Sequence, residues 1–175
     1  MKLLELLQGL EAAVVKGDSD REISGLTQDS RQIVSGMLFF GVKGYKQDGN
    51  LFAQEALERG AAAVVLENEE MPSELRCAEH QCILVAKDVR RLMAACAARF
   101  YQYPNTHMTM VAVTGTKGKT TVASMIYTIL QAAGEKAGMI GTLGSFFPDG
   151  TVSKQSVNTT PDSIRMWENL QLMQQ

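Results

Sequence analysis

Residues 109–121 read Thr-Met-Val-Ala-Val-Thr-Gly-Thr-Lys-Gly-Lys-Thr-Thr, which predicts an apolar strand, a glycine turn and the start of a helix. This order is typical of a phosphate-binding loop, whose backbone N–H groups surround an anionic phosphate. The positive end of the helix and the charge of Lys119 add to the attraction. The hydroxyl of Thr120 occupies the position that binds Mg²⁺ in such loops.

The match to the usual loop pattern, G-x-x-x-x-G-K-[ST], is incomplete, because Val113 stands where that pattern has its first glycine. Only the shorter G-x-x-G-K-T is present, and an ordinary strand-turn-helix corner with a solvated lysine is the alternative. The apolar run before the turn and the helix-forming residues 122–130 after it favour the phosphate loop. We predict that it comprises Gly115, Thr116, Lys117, Gly118, Lys119, Thr120 and Thr121.

The composition indicates a folded globular chain, with 45% hydrophobic and 21% charged residues among 175. A net charge of −2 provides no general basic surface for nucleic acid or for an anionic membrane. No apolar run approaches the roughly eighteen residues of a membrane span. The three cysteines are an odd number without a disulfide framework. We therefore expect a cytoplasmic protein, and its oligomeric state stays open.

Cys77, His80 and Cys82 lie close together in the sequence and raise the question of a metal site. Their spacing does not match a zinc knuckle, and no second pair of ligands follows. Cys96 lies in an alanine-rich helical stretch, which predicts a small buried residue.

The first part of the chain alternates helical and strand patterns, which predicts the α/β class. Pro104 and Asn105 then interrupt a predicted helix, so we place the end of the first domain at residue 105. The predicted elements are a helix over Lys2–Val15, strands over Ile23–Thr27 and Met37–Val42, a helix over Leu51–Arg59, strands over Ala61–Leu66 and Cys82–Ala86, and a helix over Val89–Tyr103.

Residues 106–175 read as the beginning of a second domain. Only two strands are predicted there, whereas a nucleotide-binding parallel sheet normally has about five. The domain is therefore expected to be incomplete. Its predicted elements are one βαβ unit over Met110–Val113, Thr120–Ala133 and Ala137–Ile140, a hairpin turn over residues 146–150, and a helix over Ser163–Gln174 capped by Asp162 or Ser163.

Three motifs follow one another along the chain: Asp29-Ser30-Arg31 with the run Gly-Met-Leu-Phe-Phe-Gly-Val-Lys-Gly at 36–44, the loop at 114–121, and Asn158-Thr159-Thr160-Pro161. In this order they resemble the Mur ligases of peptidoglycan synthesis, most of all the MurE type, UDP-N-acetylmuramoyl-tripeptide synthetase. The loop of that family reads Thr-Gly-Thr-Asn/Lys-Gly-Lys-Thr-Thr, which residues 114–121 match. This motif has no glycine before its first threonine, so valine at position 113 is normal for the family. The resemblance extends from about residue 20 to the end.

The resemblance implies a uridine-nucleotide-binding α/β domain followed by the start of a P-loop central domain. It also implies the reaction. ATP phosphorylates the D-glutamate carboxylate of UDP-N-acetylmuramoyl-L-alanyl-D-glutamate. The amine of a diamino acid, L-lysine or meso-diaminopimelate, then attacks the acyl phosphate and releases phosphate, ADP having left in the first step. The family's carbamylated lysine and its amino-acid-binding domain would lie beyond Gln175. We therefore do not expect residues 1–175 alone to catalyse the reaction.

The resemblance also implies roles for individual residues. Lys119 would neutralise charge on the β and γ phosphates of ATP, and Thr120 would hold Mg²⁺. Each implied ligand-binding residue has an alternative as a polar turn, a solvated loop or a helix cap. The implied ligand-binding residues are Gln28, Ser30, Tyr45, Lys46 and Gln47 for the uridine diphosphate, and Asn158, Thr159 and Thr160 for the muramoyl-peptide.

Three other interpretations remain. A MurF-type ligase also has an Asp-Ser-Arg motif, and Thr159-Thr160-Pro161 argues against it. A folylpolyglutamate synthetase is disfavoured, because its phosphate loop lies close to the N-terminus. A non-catalytic module that binds a UDP-sugar-peptide or a nucleotide is the alternative outside the enzymes.

Overall fold

The computed structural model describes residues 1–44, 47–67, 75–153 and 160–175. The chain divides into two compact units, Met1–Phe100 and Tyr101–Gln175. Helices and strands occur in both, and the predicted α/β class is confirmed. Among the described residues, no helix has the length and apolar character needed to cross a membrane.

The first unit contains a five-stranded sheet with the order β1-β5-β4-β3-β2. Strands β2 to β5 pair in parallel, and β1 is antiparallel to β5. The strands are β1 (Ala13–Gly17), β2 (Gly25–Thr27), β3 (Met37–Phe40), β4 (Ala63–Glu67) and β5 (Cys82–Ala86), and the helices are α1 (Leu3–Leu7), α2 (Ala53–Glu58) and α3 (Val89–Phe100).

The core lies at the central strands, which read as continuous apolar runs because helices cover the parallel sheet. Phe39, Val64, Leu66 and Ile83 are fully buried and pack with α2. Four predicted strands and two predicted helices of this unit are confirmed, with boundaries shifted by a few residues. The sheet and α2 thus form one apolar cluster.

A buried amide ties the end of α2 to the sheet. Gln81 is 6% exposed, and its Nε2 donates to the carbonyl oxygens of Leu57 at 2.7 Å and Ala61 at 2.9 Å. Its Oε1 accepts from the N–H of Ala78 at 3.0 Å. Each of these polar groups is satisfied, as burial requires.

The predicted helix over Lys2–Val15 is wrong in its second half. Helix α1 ends at Leu7, Gly9 has a φ of +72°, and Ala13–Gly17 forms β1 instead. Pairing with β5 overrides the helical spacing of the apolar residues. The guanidinium of Arg99 donates to three carbonyl oxygens at the end of α1, those of Glu5 (3.0 Å), Leu6 (2.8 Å) and Gln8 (2.8 Å). The short helix therefore ends with its free carbonyls satisfied.

Strand β1 carries a bulge. Val14 pairs with Leu84 and Lys16 pairs with Ile83, so Val15 is an extra residue opposite β5. All five residues of the strand are exposed, and β1 lies at the edge of the sheet.

Within its described residues, the second unit contains two α-helices and a small antiparallel sheet with the order β6-β7-β8. The predicted hairpin turn is confirmed, since the N–H of Phe147 donates to the carbonyl oxygen of Thr151 at 2.9 Å. The predicted cap by Asp162 is also confirmed, since its Oδ1 accepts from the N–H of Arg165 at 3.0 Å. The elements are α4 (Lys119–Ala132), β6 (Met139–Gly141), β7 (Gly144–Phe146), β8 (Val152–Ser153) and α5 (Ser163–Gln174).

The predicted βαβ unit over Met110–Ile140 is wrong in this structure. Residues 110–113 are not a strand, and β6 pairs antiparallel with β7. Met110 is 53% and Val111 63% exposed. A strand needs the backbone of a partner strand, and within the described ranges residues 110–113 have none. The helix that follows them is confirmed, although no residue of α4 is buried.

All three cysteines are free thiols in the first unit. Burial raises the pKa of Cys82 to about 11 and the pKa of Cys96 to about 12. Cys77 is half-buried. In the described part of the chain, no three His, Cys, Asp or Glu side chains are grouped so that they could hold a metal ion. The two buried thiols therefore lack the thiolate character of a nucleophile.

We expect the replacement of Gly17 by alanine to destabilise the fold far more than the replacement of Gly9. Both glycines have a left-handed φ, +87° and +72°, but only at Gly17 would a Cβ meet a backbone oxygen, that of Gln81 at 2.0 Å. Gly9→Ala should lower the free energy of unfolding by about 1 kcal/mol. Gly17→Ala should lower it by roughly 3 kcal/mol or more. Urea unfolding followed by circular dichroism measures both, and equal midpoints would contradict the steric argument.

Thiol labelling at pH 8 should modify Cys77 rapidly and leave the other two cysteines unmodified. With a pKa of about 11, only about one Cys82 thiol in a thousand is a thiolate at that pH. Because burial raises this pKa, the reactivity of Cys82 should increase as the pH rises towards 11. Titration with a disulfide reagent should give one fast equivalent in the native chain and three in denaturant. Cys77→Ser is the control, and a fast equivalent that persists in this variant would show the prediction to be wrong.

Candidate functional site

The predicted phosphate loop is a turn that leads directly into α4. Gly118 has a φ of +77° and immediately precedes the helix, and Gly115 has a φ of +147°. A Cβ added to Gly118 would meet no atom within 4 Å. Glycine is therefore needed there for the backbone conformation and not for space. The loop is exposed to solvent, so an anion can reach it.

The loop offers a group of unused hydrogen-bond donors. In the part of the chain that the structure describes, the N–H groups of Thr116, Lys117 and Gly118 donate to no acceptor. The N–H groups of the first helical turn have no intrahelical partner either. These donors lie at the positive end of a helix of fourteen residues. The arrangement fits a phosphate group.

The side chain of Lys119 folds back over this loop. Its Nζ donates to the carbonyl oxygen of Gly115 at 2.7 Å, which holds the positive charge beside the free N–H groups. Thr120 is half-buried in the first turn of α4, and Thr121 is exposed. Their hydroxyl oxygens are the hard donors that suit Mg²⁺. In the described ranges no cluster of acidic side chains accompanies them, so a Mg²⁺ ion here would depend on phosphate oxygens for most of its ligands.

A second candidate region lies in the first unit, at the carboxyl ends of the parallel strands. Since β2 and β3 are adjacent and parallel, the loops that follow them begin at the same edge of the sheet. The turn after β2 carries Gln28 and Ser30, and the loop after β3 carries Gln47. The predicted uridine-binding residues that the structure describes are thus brought to one edge.

The turn after β2 is fixed by its own polar side chains. Thr27 Oγ1 accepts from the N–H of Asp29 at 3.0 Å, and the carboxylate of Asp29 accepts from the N–H of Arg31 at 3.0 Å. The Arg31 guanidinium donates to both oxygens of that carboxylate, at 2.9 and 2.7 Å. These hydrogen bonds from Arg31 lower the pKa of the Asp29 carboxyl below its usual value. The turn that carries Ser30 is therefore held by side-chain hydrogen bonds, and the carboxylate of Asp29 is ionised.

The side chain of Ser30 faces Glu55 on α2. It is 7% exposed, and its hydroxyl donates to Glu55 Oε2 at 3.3 Å. The other oxygen of Glu55 accepts from Arg59 Nη2 at 2.8 Å. Gln28, close to Ser30 in sequence, is half-buried.

The loop after β3 is closed at its base. Lys43 and Asp48 form an antiparallel bridge, and the N–H of Gly44 donates to the carbonyl oxygen of Gln47 at 2.9 Å. Arg90, near the start of α3, donates from Nη2 to the carbonyl oxygen of Lys43 at 2.6 Å. Gln47 is exposed, and the predicted residues Tyr45 and Lys46 lie outside the described residues.

The third predicted region is described only in part. Asn158 and Thr159 lie outside the described residues. Thr160 is exposed and stands two residues before Asp162, the N-cap of α5. The capping alternative therefore applies to Asp162, and Thr160 is left accessible.

Two residues that contact these loops, Glu55 and Arg90, were not predicted from the sequence, nor was Arg59, which pairs with Glu55. Glu55 on α2 and Arg59 at its C-cap are an i,i+4 acid–base pair, a spacing that could have identified them as partners of each other. The contact of Glu55 with Ser30 depends on the packing of α2 and has no local signal. Arg90 contacts a residue 47 positions earlier in the chain, and nothing in the sequence around it indicates this.

Comparison with protein families gives two matches that together extend over most of the chain. Residues 22–101 match the family model described as Mur ligase family, catalytic domain. Residues 113–175 match the model described as Mur ligase middle domain. The second match begins just before the phosphate loop, and the first contains the Ser30 turn and the loop after β3.

A curated relative from Syntrophomonas wolfei is 39% identical over 166 residues, 95% of this chain and 32% of the relative. It is named UDP-N-acetylmuramoyl-L-alanyl-D-glutamate–2,6-diaminopimelate ligase. Further relatives, 35% to 40% identical, have the same name. The chain spans about a third of the length of these curated relatives, for which the coverage is between 32% and 34%.

Solved structures are similar in fold. A structure of a UDP-N-acetylmuramoyl-L-alanyl-D-glutamate–2,6-diaminopimelate ligase superposes with a TM-score of 0.65 at 23% identity, covering 98% of this chain and 33% of that one. A UDP-N-acetylmuramoylalanyl-D-glutamyl-2,6-diaminopimelate–D-alanyl-D-alanyl ligase from Acinetobacter baumannii gives 0.57 at 26% identity, covering 75% and 28%. The similarity to the 2,6-diaminopimelate ligase therefore extends over more of this chain than the similarity to the D-alanyl-D-alanyl ligase.

Proposed function

Because this chain belongs to the Mur ligase family, we propose that it forms the uridine-nucleotide-binding region and the phosphate loop of an ATP-dependent amide-forming ligase. The observation that carries this proposal is the loop over Gly115–Thr121, with free N–H donors and the ammonium of Lys119 beside them. The proposed domains are residues 1–105 for the UDP-N-acetylmuramoyl ligand and residues 106–175 for the beginning of the ATP-binding domain.

The proposed substrates are UDP-N-acetylmuramoyl-L-alanyl-D-glutamate and diaminopimelate, with ATP and Mg²⁺. The names of the curated relatives support diaminopimelate over L-lysine. ATP supplies the phosphoryl group that activates the D-glutamate carboxylate. Since these are the metabolites of an intracellular biosynthesis, we expect the ligase to act in the cytoplasm.

The phosphate loop is proposed to bind and orient the nucleotide. The N–H groups of Thr116, Lys117 and Gly118 would donate to phosphate oxygens. Lys119 would leave the carbonyl oxygen of Gly115 for the β and γ phosphates, where its charge offsets the negative charge that develops as the phosphoryl group moves. Thr120 would place Mg²⁺ against the same phosphates.

The edge of the first sheet is proposed to hold the uridine diphosphate. Gln28 and Ser30 come from the turn in which Arg31 donates hydrogen bonds to Asp29. Tyr45, Lys46 and Gln47 come from the loop whose base Arg90 holds. Asn158, Thr159 and Thr160 are proposed to contact the muramoyl-peptide part.

Replacement of Lys119 by methionine should weaken binding of Mg-ATP by roughly tenfold to a hundredfold, because a charged donor to phosphate is lost. Thr120→Val should have a smaller effect that appears only when Mg²⁺ is present. Isothermal calorimetry with the full chain measures both. Lys136→Met is the control, since Lys136 is an exposed lysine of the same unit. Unchanged affinity in Lys119→Met would exclude the proposed role of the loop.

The second candidate is a MurF-type ligase, which the structural likeness to the Acinetobacter baumannii enzyme supports at 26% identity. The two types differ in the length of the peptide on the substrate. We expect the chain to bind UDP-N-acetylmuramoyl-dipeptide at least as tightly as the corresponding tripeptide. Competition of each ligand against the other in calorimetry tests this. A clear preference for the tripeptide would favour the MurF type.

A further inference from the structure

The side chain of Glu55 fixes the direction of the Ser30 hydroxyl. The oxygen of Ser30 lies 3.3 Å from Glu55 Oε2. An ionised carboxylate can only accept hydrogen bonds, so the Ser30 hydroxyl is the donor and its proton points at Glu55. Ser30 is 7% exposed, which leaves its hydroxyl little freedom to turn to water.

The lone pairs of Ser30 Oγ remain available. Across the described ranges, no N–H or O–H group donates to this oxygen. A serine whose proton is already used and whose lone pairs are free acts as an acceptor. A ligand atom that contacts it must therefore be a donor.

The carboxylate of Glu55 is itself held in place. Arg59, one turn later at the C-cap of α2, donates to Oε1 at 2.8 Å, while Oε2 faces Ser30. The neighbouring carboxylate, Asp29, is paired with Arg31 at 2.7 Å. A phosphate oxygen at Ser30 Oγ would find the hydroxyl proton already donated and would lie close to the negative charge of Glu55. The turn therefore disfavours the diphosphate at Ser30.

We propose that Glu55 is a positioning residue that makes Ser30 a hydrogen-bond acceptor for an N–H or O–H group of the uridine part of the ligand. The inference rests on the proposed function, which places a uridine nucleotide at this edge of the sheet. The imide N–H of uracil and the ribose hydroxyls are the donors of that ligand, whereas its diphosphate presents only acceptors at neutral pH.

Glu55→Gln separates this role from a packing role, because glutamine has the same shape. Arg59 has no acceptor, so the amide oxygen of the glutamine must face it and the amide N–H₂ must face Ser30. Ser30 then accepts from the amide, and its proton turns towards the ligand. The substitution thus changes Ser30 from a hydrogen-bond acceptor to a hydrogen-bond donor for the ligand, and it leaves the packing of α2 unchanged.

The test measures dissociation constants of the full chain for UDP by calorimetry and for uridine by ligand-observed NMR. The variants are Ser30→Ala, Glu55→Gln and the double variant. Glu58→Gln is the control, because Glu58 lies on the same helix and, within the described residues, its carboxylate accepts a hydrogen bond only from the side chain of Gln54. Ser30→Ala should weaken the binding of UDP and the binding of uridine by the same factor, roughly fivefold. Glu55→Gln should weaken both similarly, with an unchanged melting temperature. The double variant should bind both ligands no more weakly than Ser30→Ala does.

Several results would overturn the inference. One is wild-type affinity in Glu55→Gln, and another is a Ser30→Ala effect on UDP that is absent for uridine, which would assign Ser30 to a phosphate. Additive effects in the double variant would show that Glu55 acts independently of Ser30. If the unaltered chain binds neither ligand, the proposed uridine-binding function fails and the inference fails with it. If the unaltered chain binds UDP and uridine but the effects of the Ser30 and Glu55 substitutions are independent, the inference fails and the proposed uridine-binding function stands.

Discussion

Parallel pairing of β2, β3, β4 and β5 determines where ligand-binding groups can meet in the first unit. Parallel strands end at the same edge of a sheet, so every loop that follows a strand begins there. This brings together the turn that carries Ser30 and the loop between Lys43 and Asp48. The chain then returns through α2 and α3, whose residues Glu55 and Arg90 contact those two segments. The edge is therefore a site built from distant parts of the sequence, and the buried cluster beneath it keeps the parts in register.

The phosphate loop in the second unit is built differently, because its geometry is local. Two glycines in left-handed conformations and the first turn of α4 provide the donors, and the lysine belongs to the same seven residues. No pairing with a sheet is needed to form this turn, and it is present although residues 110–113 have no strand partner within the described part of the chain. A local device of this kind can be read directly from sequence.

This contrast explains which predictions succeeded. The Mur ligase resemblance is confirmed by the family matches, and most helices and strands are confirmed because their patterns are local. The helix over Lys2–Val15 was wrong in its second half, because pairing with β5 is a contact that spacing cannot show. The strand over Met110–Val113 was wrong because a strand also depends on its partner. Glu55 could not be assigned to Ser30 from sequence, since 25 residues separate them. The ligand roles of the site residues stay predictions.

The bulge at Val15 has a consequence for the behaviour of the chain in concentrated solution. An edge strand with a regular row of free N–H and carbonyl groups acts as a template on which a strand of another molecule can add, and this is a common start of aggregation. In β1 the extra residue between Val14 and Lys16 disturbs that row and increases the local twist. The opposite edge, β2, is only three residues long. Both margins of the sheet are thus poor templates, which protects the chain against edge-to-edge polymerisation despite the exposed valines of β1.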